Sequence, residues 1–210
     1  MTLIGLISDV HALPAPVEEA LAIFDREGVD QVLCAGDIAG YHDQLPATIE
    51  LLKTNNVQAI AGNHDLHYLE KHEAEADSPE VIFLKQLPTS IETSIEGKKV
   101  YMVHAQPPYS CHGGIKPLDR NGVVISELVE HWTKKIKTFD HDVLIVGHTH
   151  QVFGQKMGDT LVVNPGSTVF NHCCAILRLP EMTVELFALS GKKIEPTWNW
   201  GEYMIHGKHR

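Results

Sequence analysis

The N-terminal part of the chain repeats one pattern: a short, nearly unbroken apolar run stops at polar, metal-capable residues and gives way to a helical stretch. Leu3-Ile4-Gly5-Leu6-Ile7 ends in Ser8-Asp9-Val10-His11, Gln31 to Ala35 ends in Gly36-Asp37, and Val57 to Ala61 ends in Gly62-Asn63-His64-Asp65. Apolar runs that are continuous rather than alternating are how strands read when both faces of their sheet are covered. Between them, Pro16 opens a segment with Val17, Leu21 and Phe24 at helical spacing and Gly28 as its stop, and Pro46 to Leu52 reads as a helix closed near Asn55 and Asn56. Strand, loop and helix in this order form βαβ units, which predict an α/β fold with a largely parallel sheet and right-handed crossovers.

The second half differs. A helical stretch from about Ser78 to Gln86 is followed by strand-like runs at Val100 to Val103, Val143 to Val146, Leu161 to Val163, Cys174 to Leu177 and Val184 to Leu189. One clear helix, around Val124 to Lys137, separates them. Short turns such as Asn164-Pro165-Gly166-Ser167 predict a second, more antiparallel sheet packed on the first. The 210 residues show no repeat and no linker and fit one domain spanning 1–210, with 198–210, which holds Trp198, Trp200 and Tyr203, set apart as a tail or interface segment.

Acidic residues outnumber Lys and Arg by 27 to 17 and the net charge is −10. That is the reverse of the basic footprint of nucleic-acid and anionic-membrane binders, so neither kind of binding is expected. An anionic substrate must meet positive charge supplied locally, and bound metal ions are a strong local source. Cys34, Cys111, Cys173 and Cys174 lack the paired spacings of zinc ribbons or disulfide frameworks and read as reduced thiols. With no basic n-region at the N-terminus and no apolar run of membrane-span length, a cytoplasmic location is expected.

Five segments place metal-capable side chains just after apolar runs: Asp9 and His11, Asp37, Asn63 with His64, His104, and His148 with His150. Ligands of open α/β sheets bind beyond the carboxyl ends of the strands, so these residues are expected to converge. The pairs spaced i, i+2, Asp9 with His11 and His148 with His150, project to one side of an extended backbone. Imidazole with carboxylate and carbonyl oxygen suits manganese, iron or zinc rather than calcium or copper–thiolate chemistry. Two divalent ions against Asp9 and Asp37 leave about two positive charges for hydroxide and phosphate, and ions about 3.5–4 Å apart can share a carboxylate, lower the pKa of a bridging water and clamp a phosphorane-like transition state. Any one of these histidines alone is more often structural than a ligand; the ordered set carries the inference. His67, His72, His112 and His172 read as surface residues, with His112, beside Gly113-Gly114, a candidate cleft residue, and Glu70 to Asp77 reads as a solvated face.

In order, Asp9-Val10-His11, Gly36-Asp37, Gly62-Asn63-His64-Asp65, His104 and Gly147-His148-Thr149-His150 resemble the calcineurin-like metallophosphoesterase signature, from residue 9 to about residue 167. Asn164-Pro165-Gly166-Ser167 resembles the small bacterial and archaeal phosphodiesterase-type members, although by itself it reads as a structural turn. The resemblance implies a four-layer α/β/β/α sandwich with two packed mixed sheets. It implies that Asp9, His11, Asp37 and His150 hold one metal and Asp37, Asn63, His104 and His148 the other, with Asp37 bridging. His64 is then the catalytic histidine, which is not a ligand but stabilises phosphoryl oxygens or protonates the leaving group, and Asp65 orients it. Two divalent ions are implied, manganese first, with iron, zinc or nickel as alternatives.

The expected partner is a small phosphodiester or related phosphate ester, with homo-oligomerisation left open. A nucleotide or dinucleoside polyphosphate is the alternative, with Tyr41, Tyr109 and the loop Gln106-Pro107-Pro108 as base contacts. The same fold serves as a noncatalytic scaffold in the retromer coat, where the ligands are degraded; here all the key residues are present. Two departures remain. Ala105 follows His104 where the family has Gly, which is expected to tighten that loop. The segment Gly36 to Tyr41 lacks the arginine of the family's protein phosphatases, which points away from phosphoproteins.

Overall fold

The computed structural model describes residues 1–198. Its first half runs β1 (Thr2–Ile7), α1 (Pro14–Glu27), β2 (Gln31–Cys34), α2 (Leu45–Thr54), β3 (Gln58–Ala59), α3 (Asn63–Lys71) and α4 (Pro79–Gln86). The second half runs β4 (Ser90–Ile95), β5 (Lys98–Val103), α5 (Ser126–Lys135), β6 (Val143–Ile145), β7 (Phe153–Met157), β8 (Thr160–Asn164), β9 (Cys173–Leu179) and β10 (Thr183–Ala188). Helix α1 starts at Pro14 rather than Pro16, because proline suits the first helical position. It ends at Gly28, whose φ of 72° lets the amide of Val29 turn back onto the Phe24 carbonyl at 2.9 Å.

The strands form two five-stranded sheets, ordered β10-β9-β1-β2-β3 and β4-β5-β6-β8-β7. In the first, β1, β2 and β3 are parallel, β9 pairs antiparallel with β1, and β10 pairs antiparallel with β9 at the edge. In the second, β5, β6 and β8 are parallel, and β4 and β7 close the edges antiparallel. The expected contrast between a largely parallel and a more antiparallel sheet is therefore corrected: both are mixed in the same proportion. The cause is that β9 returns to the first sheet, where its apolar sequence is covered on both faces as β1 is.

Alternation along the strands makes three apolar layers. Ile4, Leu6, Leu177, Met102 and Ile145 face one another between the sheets. Leu3, Ile7 and Ile176 point outward onto α1, α2 and α4, where Phe24 lies so close over β1 that a Cβ on Gly5 would stand 2.7 Å from its ring. Tyr101, Val103 and Leu144 pack on the other outer face against Trp132 and Ile136, at and just beyond the end of α5. Helix, sheet, sheet, helix is the four-layer sandwich. Two strands escape sequence reading, β4 and β7, because both are edge strands with half-polar sequences. No helix among the described residues is long and apolar enough to cross a membrane.

Candidate metal centre

The parallel strands of both sheets point their carboxyl ends the same way, and every metal-capable motif follows one of them. Backbone bonds tie the loops together: Asp9 N to Gly36 O at 3.0 Å, His11 N to Asp37 O at 3.0 Å and Gly147 N to His104 O at 2.8 Å. The second sheet meets the first where His104 Nδ1 donates to the Ala35 carbonyl, 2.7 Å away, and where the His148 amide donates to Asp9 Oδ2 at 3.1 Å. All seven candidate ligands and His64 thereby reach one place.

Three overlapping groups of side chains bring donor atoms within reach of a common ion: Asp9, His11 and His150; His11, Asp37 and His64; and Asp37, His104 and His148. In the first, His150 Nε2 lies 3.2 Å from Asp9 Oδ1 and 3.4 Å from His11 Nε2. In the last, His104 Nε2 lies 3.3 Å from Asp37 Oδ1 and 3.2 Å from Asn63 Oδ1, and Asn63 Oδ1 lies 2.8 Å from His148 Nδ1. Ligand atoms about 2.1 Å from one ion stand about 3.0–3.4 Å from each other, so most of these separations have the length that an edge of a coordination polyhedron would have.

The tautomers agree. His104 Nδ1–H on the Ala35 carbonyl and His11 Nδ1–H on the Ala39 carbonyl, at 2.7 and 3.3 Å, leave both Nε2 lone pairs facing the cluster. Lone pairs and carboxylate oxygens that converge in a buried site need a cation between them, and a divalent metal fits.

The carboxylates and imidazoles of the cluster also perturb one another's charge. Burial opposes charge at Asp9 and Asp37, yet His150 and His104 respectively outweigh it and hold both carboxylates below their ordinary range. Burial likewise pushes His104 down, but Asp37 carries it up to about 9. At His11 and His148 burial wins, and both fall to about 4; it also lowers His64.

Close approach explains the glycines of two motifs. A Cβ on Gly62 would stand 2.1 Å from Asp37 Oδ1, and one on Gly147 would stand 2.0 Å from Ser8 Oγ and 2.8 Å from Asp9 Oδ2.

Asn63 and His64 open α3, with Gly62 as its N-cap, and the His64 amide donates to Asp37 Oδ1 at 2.8 Å. The expectation that Asp65 orients His64 is corrected. From the third helical position its carboxylate turns back to accept the amides of Gly62 at 2.8 Å and Ala39 at 2.7 Å, which locks the loop after β2 to the start of α3. Burial, then Asp37, raise Asp65 to about 7.

The Asn164-Pro165-Gly166-Ser167 turn does more than reverse the chain. Asn164 Nδ2 donates to Gly147 O at 2.9 Å and Thr149 Oγ1 at 3.0 Å, and Ser167 Oγ donates to Asp9 O at 2.6 Å. Asn171, also buried, donates to His150 O at 2.9 Å and accepts the Ser167 amide at 2.8 Å. These residues grip the backbone of the ligand loops. The available signal was position: the turn follows the apolar run of β8, as the ligand motifs follow theirs.

Asp37, Asn63, His148 and His150 open into a cleft of about 390 Å³, which Tyr41, His64, Lys116, Arg120 and Trp198 also line. The expected base contacts separate. Tyr41 lines the cleft, whereas Gln106, Pro107 and Pro108 face another cavity of about 350 Å³ beside Trp132 and Phe139, and Tyr109 is 70% exposed. The His112 ring stands 6.4 Å from that of His148. Trp200 and Tyr203 lie outside the described residues.

Comparison with known proteins agrees with this geometry. The sequence profile of the calcineurin-like phosphoesterase superfamily domain matches residues 2–178. A probable metallophosphoesterase of Methanothermobacter thermautotrophicus is 28% identical over 195 residues, covering 92% of this chain and 89% of its own. A phosphodiesterase of Methanocaldococcus jannaschii is 27% identical over 175 residues, covering 83% and 86%. Among solved structures, a hypothetical protein of Pyrococcus horikoshii superposes with a TM-score of 0.69 at 18% identity, covering 99% of this chain and 93% of that one, which shows the shared fold. The profile spans the chain from β1 into β9 and takes in every motif of the cleft, so this chain belongs to the calcineurin-like phosphoesterase superfamily, as a hydrolase of phosphoester bonds.

Proposed function

We propose that this protein hydrolyses small phosphodiesters with two divalent ions, held on one side by Asp9, His11, Asp37 and His150 and on the other by Asp37, Asn63, His104 and His148. The observation that carries this reading is the pair of donor groups, Asp9–His11–His150 and Asp37–His104–His148, brought together at the mouth of one cleft, with Asp37 within reach of both His11 and His104. Bound ions supply Lewis-acid charge to the phosphate and lower the pKa of an attacking water; manganese is the proposed ion, and the donors suit iron, zinc or nickel as well.

The chain's own residues do the rest. Asp37 gives one carboxylate to both halves. The carbonyls of Ala35 and Ala39 hold the rings of His104 and His11 in one tautomer. His64, half-buried at the start of α3 and lining the cleft, is placed to donate to a phosphoryl oxygen or to protonate the leaving oxygen. The relative named phosphodiesterase supports a diester substrate. The complete donor set weighs against a noncatalytic scaffold.

Protein stripped of metal and titrated with manganese is expected to take up about two ions per chain and to hydrolyse bis(4-nitrophenyl) phosphate, while Asp37→Ala loses both turnover and an ion. Manganese-loaded protein inert toward diesters and monoesters alike, or an Asp37→Ala variant with full metal and full activity, overturns the proposal.

A further inference from the structure

The cleft holds positive charge that the metal centre does not use. Lys116 and Arg120 line it beside Asp37 and His148, and neither takes part in an ion pair among the described residues. Asp119, next to Arg120 in sequence, also lines the cleft and lies within reach of the Arg120 charge, but makes no ion pair with it; its Oδ1 accepts the amides of Asn121 and Val123, both at 2.8 Å. Most lysines among the described residues likewise lack an ion pair; what sets Lys116 and Arg120 apart is that both line the cleft of the candidate ligands.

A lone exposed lysine or arginine is ordinarily just solvated. Here the loop that carries the two is anchored to the metal centre. Gln151, adjacent to His150, accepts the Leu118 amide and donates to the Leu118 carbonyl, both at 3.0 Å. Ile125 N bonds Pro117 O at 2.8 Å, and Thr197 Oγ1 donates to Arg120 O at 3.0 Å. The backbone on both sides of Lys116 and Arg120 is thus fixed relative to the ligands, which spares a binding site the entropy of ordering its loop.

We propose that Lys116 and Arg120 form a subsite for a second phosphate, so that the substrate is a phosphodiester with a phosphate monoester at the end of one ester arm. The inference rests on the phosphodiesterase reading above and narrows it. A phosphate monoester carries close to two negative charges at neutral pH, matching one lysine and one arginine. The arginine fork can engage two of its oxygens while the lysine acts as a point charge. A neutral arm would leave both cations without a partner.

The test uses matched pairs of substrates: 4-nitrophenyl diesters whose second arm is an alkanediol of two to six carbons, ending either in a hydroxyl or in a phosphate. With manganese-loaded protein, one tether length is expected to favour the phosphate-ended ester by about ten- to a hundredfold in kcat/KM. In Lys116→Ala/Arg120→Ala the ratio is expected to fall to near one, and in Arg120→Glu to drop below one. A ratio near one in the unaltered protein at every tether length, or one that survives the double substitution, overturns the subsite.

Calorimetry separates this failure from failure of the parent reading. Alkanediol bisphosphates are expected to bind the unaltered protein more tightly than the corresponding monophosphates, and the double variant is expected to lose the difference. If neither ester is hydrolysed but this binding difference is present and is lost in the variant, the subsite stands and the hydrolytic reading falls. If the binding difference is absent, the subsite falls whatever the hydrolysis assay gives.

Discussion

The loops after β1, β2 and β6 deliver their candidate ligands by one means, and the end of β5 and the start of α3 by another. Asp9, His11, Asp37, His148 and His150 all sit in left-handed backbone, with φ of 51°, 46°, 55°, 63° and 48°. Each such residue costs about 1–3 kcal/mol and persists only when its surroundings over-determine it. Asn63, His64 and His104 have no such strain: the first two open a helix and the third leaves a strand directly. The strained loops are held from outside, by Ser167 on the Asp9 carbonyl, Asn164 on the Gly147 carbonyl, Asn171 on the His150 carbonyl and Asp65 on the Ala39 amide, the last of which also holds the start of α3. Regular elements present a side chain at little cost, whereas loops that turn through left-handed backbone to present theirs need clamps.

Both kinds of residue line the cleft, and among the unstrained ones the largest expected effect is at His64. If the side chain acts, as proposed, on the phosphate and not on the ions, His64→Ala should lower kcat about 10²- to 10⁴-fold while the protein still binds manganese to the same stoichiometry. Its ring is nevertheless close enough to His11 and Asp37 to share an ion with them. Elemental analysis decides. A variant that loses one ion per chain makes His64 a ligand and moves it to the other side of the comparison.

How much of this was legible follows from the same contrast. Strands covered on both faces wrote themselves as unbroken apolar runs, and each ligand motif sat at the end of one, so the convergence of Asp9, His11, Asp37, Asn63, His104, His148 and His150 could be read from position and chemistry. Helix α3 was hidden because Asp65 is its buried residue and no apolar stripe marks it. The clamps at Asn164, Ser167 and Asn171 were hidden because a Pro-Gly turn accounts for itself locally, and their partners are distant in sequence. Lys116 and Arg120 lie on a loop without periodicity, which reaches the cleft through the Gln151–Leu118 bonds, a contact across 33 residues that no local pattern encodes.

A clamp is expected to matter less than His64 but in a different observable. Asn164 is fully buried and also accepts the Gly166 amide at 2.8 Å. Asn164→Ala should weaken manganese binding about 10- to 100-fold, as removal of partners that orient ligands does. Turnover at saturating manganese should largely return. Each buried group left unpaired should also cost about 1–3 kcal/mol in urea unfolding. Lost stability with unchanged metal affinity would mean that the turn supports the fold alone, and that the strained loops keep their shape without it.

The smallest effect is expected at Ala105, where the family pattern has glycine. Ala105 is fully buried, and its φ is not in the left-handed region, so the methyl group is accommodated and the backbone does not call for glycine. Its amide bonds Ser110 O at 3.0 Å, closing the loop directly after His104. Ala105→Gly removes a buried methyl and loosens the unfolded chain, which together cost about 1–2 kcal/mol. If His104 is held by regular structure and its bond to the Ala35 carbonyl, as the comparison holds, metal affinity and kcat should stay within about twofold while unfolding shifts to lower urea. A large fall in metal affinity would show that the junction at β5 depends on its loop as the strained loops do, and the distinction between the two kinds of ligand delivery would collapse.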